Sequence, residues 1–199
     1  MTKLNRSLKL ILAGSTAALL AVTLVACSKN KAPAAAKNQV LSACSTIPET
    51  DAASILGGKI IAVPMSVNPN SPIQLCQYIN DDNEVAVLLQ ISPFKGKDAA
   101  KALQQDAAMQ KGVGQNSIIP SKVVPATGLG AGAFFVENTT SPTNRSIQLH
   151  FIDDAHKLMV QVNNPKDFAT GESQALDLAQ KAVTNIKDGS AFKADSSNS

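Results

Sequence analysis

Hydrophobic patterning divides the chain into distinct regimes. Residues 1–9 carry Lys3, Arg6 and Lys9, and residues 10–26 form an uncharged, mostly apolar run that ends in small side chains. The run is slightly shorter than the roughly 20 residues that cross a bilayer, and Gly14, Ser15 and Thr16 interrupt it, so it predicts a cleaved export signal over residues 1–26. Residues 28–42 mix Lys, Asn, Ala and Pro with little periodicity and predict a flexible spacer.

Regular periodicity begins beyond the spacer. Thr46-Ile47-Pro48-Glu49 has capping-box spacing, Ala52, Ile55 and Leu56 share a stripe, and Gly57 is placed to end a turn, which together predict a short first helix. Residues 60–65, 73–79 and 84–91 read as strands. Asn68-Pro69-Asn70-Ser71-Pro72 separates the first two, and Asn80-Asp81-Asp82-Asn83 separates the next two as a hairpin turn. Residues 97–111 place Ala99, Leu103 and Ala107 on one helical face, with Gly112 following.

Four further strands are predicted over residues 118–124, 131–136, 145–152 and 157–162. The third of these alternates Ile147, Leu149 and Phe151 with polar residues, as a sheet with one covered face requires. A last helix over residues 172–187 carries Leu176, Ala179, Val183 and Ile186 at helical spacing, with Gly189 beyond its end, and is expected to cover that sheet. Strands grouped in hairpins with helices before, between and after them predict an α+β fold, an antiparallel β-sheet flanked by helices. One globular domain is expected over residues 44–189, followed by a disordered tail over 190–199.

Leu24-Val25-Ala26-Cys27 resembles the lipobox read by bacterial lipoprotein-processing enzymes. In that motif the cysteine is thioether-lipidated and becomes the mature N-terminus, so Cys27 is the expected lipidation site and residues 27–43 the lipidated start and tether. Two or more acyl chains hold a protein on a membrane far more durably than one. Ser28 resembles the residues that permit transfer to the outer membrane. The expected location is the periplasmic face of the outer membrane in a diderm host, and otherwise the outer face of the cytoplasmic membrane.

Cleavage changes the charge reading. The full chain carries a formal charge of +3, and loss of Lys3, Arg6 and Lys9 leaves a neutral product. Lys29, Lys31 and Lys37 then lie in the tether, where they can rest on anionic headgroups, and the domain beyond is slightly acidic. Nucleic acid is thereby set aside as a partner, because no concentrated positive face remains. The lack of tryptophan and the single tyrosine, Tyr78, disfavour stacking platforms for sugars.

With Cys27 assigned to lipid, Cys44 and Cys76 are the two remaining thiols in a compartment where disulfides persist, and they are expected to pair. His150 and His156, with Asp153 and Asp154 between them, form the one cluster of metal-ligand residue types. Its place between two alternating strands also reads as an Asp-favoured turn. Gly128-Leu129-Gly130-Ala131-Gly132 lacks the Lys-Ser/Thr of a phosphate loop and precedes a strand, so it reads as a bend. No nucleophile elbow is present, and neither a metal nor a cofactor is expected.

The arrangement resembles a family of exported lipoprotein domains of unknown function, best represented in actinobacteria and related to extracellular sensor domains of membrane protein kinases. The shared features are Cys44-Ser45-Thr46 leading into Asp51-Ala52-Ala53-Ser54-Ile55-Leu56-Gly57, then Cys76-Gln77-Tyr78, Gly128-Leu129-Gly130 before Ala133-Phe134-Phe135, and the terminal helix. The resemblance implies a PsbP-like fold, a Cys44–Cys76 bridge, and binding or sensing instead of catalysis. The expectation is a membrane-anchored, non-enzymatic envelope module whose partner is an envelope protein or a small apolar ligand. The alternatives are a structural envelope-interaction protein, or a hydrolase or metal-dependent enzyme using the His150/His156 region. A carrier of an apolar ligand would need an apolar chamber of roughly 300 Å³ or more between helix and sheet.

Overall fold

A computed structural model describes residues 39–65, 68, 71–116, 121–141 and 144–194. The expected signal over 1–26, Cys27, Ser28 and most of the tether lie outside the described residues. In chain order the elements are β1 (Gln39–Leu41), α1 (Ala43–Thr46), α2 (Glu49–Leu56), β2 (Ile61–Met65), β3 (Gln74–Ile79) and β4 (Val85–Pro93). There follow α3 (Ala99–Asn116), β5 (Ser121–Pro125), β6 (Phe134–Ser141), β7 (Asn144–Asp153), β8 (His156–Asn163), α4 (Phe168–Asp188) and β9 (Phe192–Ala194). Seven strands form one antiparallel sheet in the order β2-β3-β4-β8-β7-β6-β5, while β1 and β9 pair separately. The fold is thus α+β, as the alternation of patterns predicts.

The sheet has two unlike faces because side chains alternate along every strand. On the first face, Ile147, Leu149 and Phe151 of β7 and Leu158, Val160 and Val162 of β8 are buried. They meet the stripe Ala175, Leu178, Ala179 and Ala182 of α4, also buried. Both ends of α4 are capped. Asp167 accepts from the Thr170 N–H at 2.7 Å, and Gly189, at φ 87°, supplies the left-handed turn that stops the helix.

α1 completes this first layer. The Cys44–Cys76 disulfide joins it to β3, the Tyr78 hydroxyl donates to the Ile47 carbonyl at 2.8 Å, and the Asn185 amide of α4 donates to the Thr46 carbonyl at 3.0 Å. Burial raises the Tyr78 hydroxyl far above its ordinary pKa, against the opposing pull of that hydrogen bond. Tyr78 therefore serves as a neutral donor at any physiological pH.

The structure differs from the sequence reading at both ends of the domain. Residues 39–41, inside the expected spacer, and 192–194, inside the expected tail, are strands that pair with each other. Leu41 packs on the core, Ala191 is fully buried, and the Ser42 N–H donates to the Ala191 carbonyl at 3.0 Å. Three-residue strands are too short to show periodicity, so their pairing was hidden from the pattern. The described fold begins at residue 39 instead of 44 and extends to 194 instead of 189.

The capping box at Thr46 is likewise not formed. Thr46 closes α1, and its hydroxyl donates to the Ser42 carbonyl at 2.8 Å. Pro48 disfavours the helical conformation for the residue before it, and Ile47 is extended at φ −126°, ψ 102°, so the expected helix divides in two. Glu49 is freed from a capping role and accepts instead from the Ala62 N–H at 2.8 Å, which satisfies a donor on edge strand β2. With Pro64 in the same strand, this blunts the edge against pairing with another sheet.

The glycine-rich segment bends as expected and delays the start of β6 to Phe134. Gly132 is at φ 86°, and a Cβ there would lie 3.1 Å from the Ala100 carbonyl oxygen and 3.3 Å from the Leu103 Cβ. The close approach seats the start of α3 on the sheet. Gly132→Ala is therefore expected to destabilise the domain by about 1–3 kcal/mol. A urea melt with an unchanged midpoint would contradict this tight seating.

On the second face, among the described residues, α3 lies mainly across β5, β6 and β7, with Leu103 buried against Phe134 and Val136. An ion pair between Lys157 of β8 and Asp106 of α3, 2.5 Å apart, marks the inner border of this coverage. The side of the sheet formed by β2, β3 and β4 carries no helix on this face among the described residues.

Candidate functional site

The β7–β8 hairpin contains the candidate metal cluster, and its geometry separates the four residues. Asp153 and His156 are directly paired across the two-residue turn, so they project to the α4 side with Phe151 and Leu158. His150 stands one place out of that alternation and projects to the opposite, α3 side. Asp153 instead pairs with Lys187 of α4 at 3.5 Å, and Asp154 occupies the turn at φ 44°. Among the described residues, no group of three or more His, Cys, Asp or Glu is placed to hold a metal ion.

His150 is built into a packing role. Its ring stacks on Phe134 with centroids 4.8 Å apart and planes 5° from parallel. Burial lowers its pKa to about 4, the nearby Lys157 adds to the lowering, and Asp106 opposes it. The ring is therefore neutral at physiological pH.

A directed chain of hydrogen bonds begins at this ring. The Asn163 amide nitrogen donates to the Val85 carbonyl at 2.9 Å, the Gln161 amide to Asn163 Oδ1 at 2.7 Å, and the Gln148 amide to Gln161 Oε1 at 3.0 Å. A backbone carbonyl can only accept, so it orients every amide in the chain. Gln148 is left presenting its carbonyl oxygen to His150 Nε2 at 3.3 Å, which selects the tautomer protonated on that nitrogen. The chain crosses the second face from β7 to β4 and fixes its polar groups in place.

Around this chain the second face is open. The registers carry the same alternation through β8, β4, β3 and β2, which places Met159, Leu88, Leu75, Val63 and Met65 on it with Gln77, Gln90 and Gln161. Ile61 and Met65 are 48% and 40% exposed. The strand positions named here are apolar or amide. Lys157, at the border, is neutralised by Asp106. On α3 the adjoining flank exposes Met109 and Val113 at 62% and 64%. Val63, Leu75, Leu88 and Met159 are half-buried, so the exposed apolar groups on this side are Ile61 and Met65 with Met109 and Val113, and the Gln148 and Gln161 amides are satisfied within the chain of hydrogen bonds.

Among the described residues, Leu178, Ala179 and Ala182 of α4 are buried directly against the strand residues they meet. The clefts lie at the surface. One of about 280 Å³ lies beside Cys44 and Met65, another of about 280 Å³ beside Asn80, Asn164 and Gln174, and one of about 240 Å³ beside Gly128, Asp153 and Lys187. The second and third are bordered by both α4 and the sheet, through Val162 with Gln174 and through Phe151 with Val183, and each is slightly smaller than the roughly 300 Å³ a carrier would need.

A second charged group lies at the far edge of the first face. Glu137 of β6 is buried and paired with Lys122 of β5 at 3.3 Å. Glu172 of α4 is held above the usual carboxylate range, first by burial and then by the charge and hydrogen bonding of Glu137.

Sequence pattern pointed at the histidines and passed over the open face. The available signal was on α3, where Met109 and Val113 lie four residues apart but off the Ala99-Leu103-Ala107 stripe. Among the described residues, no helix is long and apolar enough to cross a membrane. Compared with known proteins, the chain matches no protein-family model and no curated protein.

Proposed function

We propose that this chain is a lipid-anchored lipoprotein of the bacterial cell envelope and acts as a non-enzymatic partner-binding or sensing module. The observation that carries this reading is the Cys44–Cys76 disulfide. It engages two of the three cysteines, and the third, Cys27, is the one that ends Leu24-Val25-Ala26-Cys27. A disulfide in the core of the fold suits an exported protein, and an alkylated Cys27 suits the lipobox. The PsbP-like relationship belongs to the same reading, supported by the helix-flanked antiparallel sheet.

The anchor and the domain fit together in length. β1 begins twelve residues after Cys27. A chain reaches at most about 3.5 Å per residue, which keeps the domain within about 40 Å of the lipid. A protein held at that distance meets other envelope proteins, and the open face of β2, β3, β4 and β8 is the surface it would present. The small size of the clefts bordering α4 favours a protein partner over a small apolar ligand. A hydrolytic or metal-dependent alternative would draw on His150 and His156, and these point to opposite faces.

Growth with an alkyne-bearing fatty acid, followed by dye coupling, tests the anchor. The wild-type chain is expected to carry the label and to sediment with membranes, and Cys27→Ala is expected to lose both. An unlabelled wild type, or a label indifferent to Cys27→Ala, would overturn the reading.

A further inference from the structure

We propose that β1 and β9 form a releasable clasp on the tether, and that the Cys44–Cys76 bridge is its stop. A pull on the chain from the membrane side opens the clasp, lengthens the tether and goes no further than Cys44. The inference rests on the proposed lipid at Cys27, which supplies the fixed end of the pull.

The two strands of the clasp are held in different ways. β9 is fastened to the end of α4 by bonds of its own. The Ala191 N–H donates to the Asn185 carbonyl at 3.0 Å, the Phe192 N–H donates to the Gly189 carbonyl at 3.2 Å, and Ala191 is fully buried. β1 is three residues long and, among the described residues, pairs with β9 and not with the seven-stranded sheet. Beyond that pairing it is held by Leu41, half-buried against the core, and by the Ser42 N–H that donates to the Ala191 carbonyl. An isolated pair of strands is marginally stable in water. β1 is therefore the half that moves, and β9 stays in place as the template on which it closes again.

The register makes the opening stepwise. Gln39, where the tether enters, lies opposite Ala194, and Leu41 lies opposite Phe192. The hydrogen bonds of an antiparallel pair run perpendicular to the strands. A pull that draws Gln39 away from Ala194 loads them one after another from that end, and bonds loaded in turn yield at a lower force than bonds loaded together.

The residues that follow resist. The Ser42 carbonyl accepts from the Ser45 and Thr46 N–H groups, each at 3.0 Å, and the Ala43 N–H donates to Gln74 Oε1 at 3.0 Å. Cys44 is then bonded covalently to Cys76 of β3, a strand paired on both sides in the large sheet. Load that reaches Cys44 passes into that sheet.

Chain length sets the two heights. With the clasp closed, the twelve residues between Cys27 and β1 reach about 40 Å, and with the chain drawn out to the bridge, the seventeen residues from Cys27 to Cys44 reach about 60 Å. The domain thus has a near and a far working height above the membrane, and the pull of a bound envelope partner selects between them.

The test pulls the full chain, with its bridge oxidised and in detergent micelles, in an optical trap between click-reactive handles at residue 31 of the tether and residue 82 of the β3–β4 turn. A first lengthening of at most about 18 Å, the extended length of residues 39–43, is expected before any other part of the domain yields, and it should reverse on relaxation. Leu41→Asp should abolish this first step, because a carboxylate at that half-buried position keeps β1 off the core. Cys44→Ala with Cys76→Ala should carry the first lengthening past the limit and into α1. A wild-type record with no reversible step before the domain yields would overturn the clasp, whether or not Leu41→Asp folds. A first step of unchanged length in the bridge-free chain would overturn the stop. The trap holds the chain by its handles and not by its lipid, so a missing step and an unlabelled Cys27 are separate failures, one of the clasp and the other of the anchor.

Discussion

Replacing Cys44 and Cys76 together by alanine is expected to lower the domain's stability by about 3–4 kcal/mol. The bridge joins residues 32 positions apart, and closing a loop of that length restricts the unfolded chain by about this amount on the chain-entropy account. In the folded state it pins α1 against β3 at the same corner where Tyr78 reaches Ile47 and Asn185 reaches Thr46. Those hydrogen bonds remain in the alanine variant, so the native structure should persist with a lower urea midpoint. Oxidised wild type and variant differing by less than about 1 kcal/mol would show that the bridge is not what restrains this corner.

Acid should weaken the domain through His150. Burial holds its folded pKa near 4, below the ordinary value of 6.5. The folded state therefore binds this proton less readily than the unfolded chain. The contribution is fully present above pH 6.5 and is lost as pH falls from there toward 4, reaching about 2–3 kcal/mol by pH 4. His150→Phe keeps an aromatic ring against Phe134 and removes the titration. Urea melts of the two proteins should converge in their pH dependence above pH 6.5 and diverge below it, with the wild type losing more. Parallel curves down to pH 4 would show that His150 is protonated freely in the folded state.

Glu172 responds in the opposite sense. Its folded pKa is raised, so the folded state holds that proton more tightly, and the associated stability is present at low pH and lost as pH rises through the folded value. Because the two effects oppose each other, the comparison with His150→Phe is needed to isolate the histidine.

Elements with strong local patterns were legible in the sequence. The alternation of Ile147, Leu149 and Phe151 marks the buried face of β7, and the stripe through Ala179 marks α4. Asn80-Asp81-Asp82-Asn83 forms its hairpin turn, with the Asn80 side-chain Oδ1 accepting from the Asp82 and Glu84 N–H groups. The paired cysteines followed from a count once Cys27 was assigned elsewhere. In each case the determinant lies within a few residues or in residue chemistry.

Features decided by distant contacts were not legible. The pairing of β1 with β9 joins the two ends of the domain, and Leu41 or Phe192 alone signals nothing about the other. The division of the first helix was readable in principle from Pro48, but the capping-box spacing at Thr46 competed with it, and the proline prevailed. The candidate cluster of His150, Asp153, Asp154 and His156 is contiguous in sequence, yet a strand places alternate residues on opposite faces. Even and odd positions around a two-residue turn therefore part company. The open face was hidden for a different reason. Alternation reveals that a strand has two unlike sides, but not how many strands a helix such as α3 spans.

The proposed lipid at Cys27 would tether a disulfide-clamped domain whose sheet packs against α4 on one face and is half covered by α3 on the other. Intact mass measurement of the protein extracted from membranes tests this most directly. A lipid-anchored protein will give a chain that begins at Cys27, bears acyl groups on that residue, and retains the mass deficit of one Cys44–Cys76 bridge. A chain that retains residues 1–26, or a mature chain with an unmodified Cys27 thiol, would contradict it.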